Sequence, residues 1–126
     1  MNWATIRLEL GSSEAFPRGS AGRAFLLNVP IDSDGCIDRS ALEQNPGRAT
    51  VRRFWASEAD TFGIVKPADD HWALQCETGA VGGSTFLLEA VPLKQNESVQ
   101  VLAPDGTEMA FRVATIRPTL SRIPVR

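Results

Sequence analysis

The sequence predicts an all-β fold, a small antiparallel barrel-like domain of about eight strands, with one short helix between strands 2 and 3. Three observations predict it. Apolar and polar residues alternate with a period of two in one segment after another. Gly, Pro, Asn and Asp interrupt the chain at short, regular intervals. Helical spacing is confined to one stretch. A barrel is preferred to a sandwich because closure removes free strand edges, although the sequence alone leaves both open.

The first strand is "WATIRLEL", with Ala4, Ile6, Leu8 and Leu10 on one face and Thr5, Arg7 and Glu9 on the other. "GSSEAFPRGSAG" follows as a Gly, Ser and Pro-rich loop. "RAFLLNV" is the second strand, with Phe25, Leu27 and Val29 on the core side. Pro30 and "DSDG" make the next turn. "DRSALEQN" is the helix, capped by Asp38 or Ser40; Ser40 and Glu43 have capping-box spacing. "PGR" ends it.

The remaining strands are "TVRRFW", "TFGIVK", "HWALQCE", "TFLLEAV", "SVQVLA" and "EMAFRVATI". "LAPDGTE" joins the last two as a hairpin, because Pro-Asp-Gly presets the turn backbone. In the last strand Met109, Phe111 and Val113 alternate with Ala110, Arg112 and Ala114. Residues 1–117 are expected to form the single domain and 118–126 a C-terminal tail.

A chain of 126 residues fits one domain with its own core. Its apolar content of 43% and charged content of 22% exclude a disordered chain. No apolar run approaches the roughly 18 residues of a membrane span. The start, "MNWATIRLELG", carries no secretory pattern, so a cytoplasmic location is expected. Cys36 and Cys76 are accordingly read as thiols. A net charge of −2 argues against nucleic acid as the main partner.

Several segments invite a chemical reading. "DSDGCID", residues 32–38, has part of the spacing of a calcium loop, but Pro30 and Ala41 stand where its first and last ligands belong. It reads as an Asx turn leading into a helix cap. His71 is the only histidine and has no metal-ligand spacing around it. Cys76 lies five residues further on, on the opposite face of an extended strand. "TGAVGGS" has the glycines of a phosphate loop but neither its lysine nor a following helix. No metal and no cofactor is expected.

"VRRFWASEAD", residues 51–60, is the most informative stretch. Val51, Arg53 and Trp55 share one face; Thr50, Arg52 and Phe54 share the other. A guanidinium and an aromatic ring therefore point each way. An unpaired buried charge is costly, so the inward arginine should meet an acid. The expectation is Arg53 with Glu58 or Asp60, and Trp55 packed over the arginine stem. A strand bulge that turns both arginines outward is the alternative. Arg supplies eleven of the thirteen basic residues, which suits forked pairing with carboxylates.

"FPRGSAGRAFLLNVPIDSDGCIDRSAL", "TVRRFWASEADTFGIV", "HWALQ" and "SVQVLAPDGTEMAFRVATI", in that order, resemble a group of small proteins from alphaproteobacteria. The chain departs from that group in "KQNESV" and "TGAVGGS". The resemblance implies an all-β domain and no particular activity.

The expected function is that of a non-catalytic accessory module that binds a small molecule or a protein. Arg53, Trp55, Glu58, Asp60 and Arg52 are its candidate residues. An enzyme with a pocket of His71, Cys76 and acids is one alternative. A weak nucleic-acid binder using Arg52, Arg53 and the C-terminal Arg117, Arg122 and Arg126 is the other. A homo-oligomer through an exposed strand edge is a possible assembly.

Overall fold

A computed structural model of the chain describes residues 2–77 and 83–119. Eight strands, β1 (Asn2–Leu10), β2 (Ser20–Ile31), β3 (Thr50–Trp55), β4 (Thr61–Ala68), β5 (His71–Glu77), β6 (Gly83–Glu89), β7 (Ser98–Leu102) and β8 (Glu108–Pro118), follow one another around a closed barrel. Each pairs antiparallel with the next, and β8 pairs back with β1. One helix, α1 (Arg39–Gln44), lies between β2 and β3. Among the described residues, closure leaves no whole edge strand.

The alternation puts one set of side chains inside. Ile6, Leu8, Phe25, Leu27, Leu74, Leu88, Val101, Phe111 and Val113 have no exposed surface. An eight-stranded barrel has an interior just wide enough for side chains to fill. Phe25 sits centrally, its ring centroid 5.2 Å from those of both Phe86 and Phe111.

The two ends differ. At one end α1 and its flanking loops cover the core with Ile37, Ala41, Leu42, Ala49 and Leu93, all buried. The Leu93 N–H donates to the Gly35 carbonyl at 2.8 Å, tying the β6–β7 connection to the segment before α1. Asp38 caps α1, its carboxylate accepting from the Ala41 N–H at 3.0 Å. Ser40 is inside the helix, and Glu43 turns to Arg39 instead of completing a capping box. Asp32 accepts from the Asp34 and Cys36 N–H groups, so "DSDGCID" is an Asx turn and a cap.

Pro30 does not open the turn as expected. It pairs with Trp3 within β2, and the turn starts after Ile31. β3 begins opposite Asn28, so no β3 carbonyl awaits an N–H from residue 30. Pro67 sits in β4 for the same reason, beyond the last residue paired with β3. Pro118 ends β8, and Thr119 is tied to Trp3, Thr5 and Asn28. Residues 120–126 lie outside the described residues.

Two features set the wall's shape. Gly63 of β4 faces Cys76 of β5, and a Cβ built there would stand 1.4 Å from the Gln75 carbonyl oxygen. No side chain fits that approach. β6 and β7 are joined by only two residue pairs, Leu87–Leu102 and Leu88–Val101. Beside them the Glu89 carboxylate accepts the Gln100 N–H.

The other end of the barrel is rimmed by the β1–β2, β3–β4 and β7–β8 loops. The last is a three-residue turn: the Gly106 N–H donates to Ala103, Gly106 has φ of 91°, and Asp105 accepts from the Thr107 N–H. No helix among the described residues is long and apolar enough to cross a membrane.

Candidate functional site

β3 delivers the candidate residues to the end of the barrel that α1 leaves uncovered. Its register places Arg53 opposite Phe25 of β2 and Thr61 of β4, all on the inner face. Arg52 and Phe54 point outward. The five expected residues therefore divide between two sites.

Inside, Arg53 retains 17% of its side-chain exposure. Its guanidinium carbon lies 4.4 Å from the Trp55 ring centroid and 5.4 Å from that of Phe86. Trp55 thus lies against the charged head rather than the stem. A desolvated cation against an aromatic face gains about 2 kcal/mol. One carboxylate joins it: Arg53 Nη1 donates to Glu58 Oε1 at 3.2 Å. The turn after β3 makes this meeting possible. The Glu58 N–H donates to the Trp55 carbonyl at 2.9 Å, and Ser57 takes a positive φ of 71°, so the chain doubles back over the strand end.

The pairing is incomplete. Arg53 Nε is buried and has no hydrogen-bond partner among the described residues. Thr61 Oγ1, on the residue directly across from it, likewise has no hydrogen-bond partner within bonding distance there, although it lies beside the Cys76 thiol. Thr61 is 8% exposed and is the one buried polar residue among those described. Two unpartnered polar atoms on one rung are unusual in an interior where buried polar groups are nearly always satisfied.

Above them is a shallow, open depression of about 360 Å³, lined by Arg53, Trp55, Phe86, Pro104, Asp105 and Met109 among others. A second cavity of about 540 Å³ shares Trp55, Thr107 and Met109 with it and continues beneath the β1–β2 loop beside Phe16. Cavities of this size accommodate small organic ligands. Thr61, Phe86, Asp105 and Met109 were not singled out from the sequence. Alternation does mark Phe86 and Met109 as inward, but only the register shows that they reach the level of Arg53.

Outside, Phe54 lies between two guanidinium groups, 5.6 Å from Arg7 and 4.6 Å from Arg52. Arg52 also reaches Phe62, which is 57% exposed. Asp60 belongs here, 2.9 Å from Arg52. Glu9 takes both Arg7, at 2.8 Å, and Arg112, at 3.1 Å. Acids are therefore interleaved through the basic stripe. Arg117 sits in register with Thr5, near the α1 end of the barrel; Arg122 and Arg126 lie outside the described residues.

His71 and Cys76 do not meet. They occupy opposite ends of β5, roughly 16 Å apart along an extended strand. His71 Nδ1 is 2.8 Å from the exposed Asp70, and this hydrogen bond holds the Asp70 carboxyl below its ordinary pKa. Cys76 is buried beneath Arg53. Burial raises its thiol pKa, against smaller opposing effects of the neighbouring Thr61 hydroxyl and the Arg53 charge. Burial also raises Cys36, helped by the charges of Asp32 and Asp34. Neither thiol is activated as a nucleophile. No group of three or more His, Cys, Asp or Glu side chains suited to a metal occurs among the described residues.

No protein-family model, curated protein or solved structure matches the chain.

Proposed function

We propose that the chain is a non-catalytic binding module that holds a small organic molecule at the mouth of the barrel, with Arg53 as its anchor. The observation that carries this reading is the incompletely paired guanidinium on the inner wall. An apolar side chain would fill that rung at lower cost, because removing a cation from water is expensive unless every donor is met. Here one carboxylate takes one nitrogen, at 3.2 Å, while Nε and the adjacent Thr61 hydroxyl have no hydrogen-bond partner among the described residues. Aromatic walls beside a single charged group are also what small-molecule sites commonly offer. Binding is preferred to catalysis because the titratable groups near the mouth do not assemble a nucleophile with a base.

Native mass spectrometry on protein purified from its own host tests the proposal. A retained small molecule, lost from the Arg53→Gln variant, is the expected result. Empty protein that also gives no chemical-shift change at Arg53, Trp55 or Met109 across a library of small organic acids, alcohols and amines would end it.

A further inference from the structure

Resting on the mouth as a binding site, we infer that its ligand class is the amphiphilic monocarboxylate, a flat apolar body with one carboxylate that replaces Glu58 on Arg53. Glu58 is the reason. It is 55% exposed, it hangs on a loop, and it reaches Arg53 through a single contact from Oε1 to Nη1. A guanidinium is a fork that binds a carboxylate through two parallel N–H donors. Glu58 uses one of them. A ligand carboxylate lying across both Nη groups would make the better pair and release Glu58 to water at little cost.

The lining sets the rest of the molecule. Beyond the guanidinium the cavity offers the faces of Trp55 and Phe86, with Ala103, Pro104 and Met109. With Ser84, Asp105 and Thr107 completing the lining, the apolar part is a surface for an aromatic ring or a short alkyl chain. The lining also sets the charge. Asp105 lines the cavity with Arg53, Glu58 pairs with that arginine, and among the described residues no lysine or second arginine lines the cavity. A dianion such as a phosphate monoester would meet more repulsion than a carboxylate.

Titration calorimetry with 3-phenylpropanoate, 3-phenylpropan-1-ol and 3-phenylpropyl phosphate separates the outcomes. The carboxylate should bind at least about tenfold more tightly than the alcohol, the size of one charge-assisted pair. It should also bind more tightly than the phosphate at pH 8. Glu58→Gln should tighten carboxylate binding several-fold and leave the alcohol unchanged. Arg53→Gln should abolish the preference; Glu58→Gln, at an exposed position, keeps the test valid if that variant does not fold. Equal binding of carboxylate and alcohol, unmoved by Glu58→Gln, would overturn the carboxylate class and leave the mouth as a binding site. Tighter binding of the phosphate would overturn the charge argument and the class with it. No binding of any of the three, in either protein, would overturn both the class and the site.

Discussion

Arg53 and Phe25 are direct cross-strand partners on the inner wall, so a guanidinium and a fully buried ring share one rung of the barrel. The pairing decides what Arg53 is for. If its charge held the fold together, replacing it would unfold the mouth. If it is kept for recognition, stability should not need it. Arg53→Met is therefore expected to leave stability unchanged or raise it by about 1 kcal/mol, because the charge it leaves behind, Glu58, is half exposed and stays hydrated. Urea unfolding checks this, and a loss above about 2 kcal/mol would make Arg53 a structural residue. Glu58→Ala should cost about 1–3 kcal/mol, because it leaves the mostly buried Arg53 charge without its carboxylate.

Gly63 should tolerate no side chain. Its β5 neighbour leaves 1.4 Å between a Cβ and the Gln75 carbonyl oxygen, and backbone cannot move aside cheaply. Gly63→Ala is expected to cost more than about 3 kcal/mol, or to prevent folding. A thermal midpoint within a few degrees of the parent would show that β4 and β5 can separate.

The two candidate caps of α1 can be told apart by mutation. Asp38 accepts from the Ala41 N–H, whereas Ser40 is a helical residue. Asp38→Ala should cost about 1 kcal/mol. Ser40→Ala should stay within about 0.5 kcal/mol of the parent. Equal losses from the two in urea titrations would mean that the cap is shared.

Cys76 should make the protein sensitive to alkali. Burial raises its folded-state pKa above the ordinary 9.0, so the folded state favours the neutral thiol. That contribution is fully present below pH 9.0 and is lost as pH rises towards and through the raised folded value. Cys76→Ala should flatten the fall in stability between pH 8 and pH 10.5, compared with the parent by urea unfolding. Identical slopes would contradict the expectation. At neutral pH a thiol reagent should label the partly exposed Cys36 first and reach Cys76 only on unfolding.

Much of this was legible in the sequence because a half-buried strand writes its two faces into alternate residues. Val51, Arg53 and Trp55 could be placed on one side, and the partner of Arg53 could be narrowed to Glu58 or Asp60, from spacing alone. The partition of Asp60 to Arg52 could not be read. It depends on the path of the loop through Ser57, whose positive φ carries no sequence signature as a glycine would. Pro30 and Pro67 were harder still. A proline tells the reader that one N–H is missing, but only the register tells whether a neighbour needed it. Thr61 looks like an ordinary strand residue until its hydroxyl is seen to face inward with no hydrogen-bond partner among the described residues.

The two-pair seam between β6 and β7 has a consequence for traffic. Residues on both of its sides, Phe86 on one and Ala103 and Pro104 on the other, also line the cavity over Arg53. The staves that part most readily are thus those beside the anchor, and a guest could enter through the barrel's flank as well as its top. Amide protons at Leu88 and Val101 would then exchange more slowly once the guest is seated.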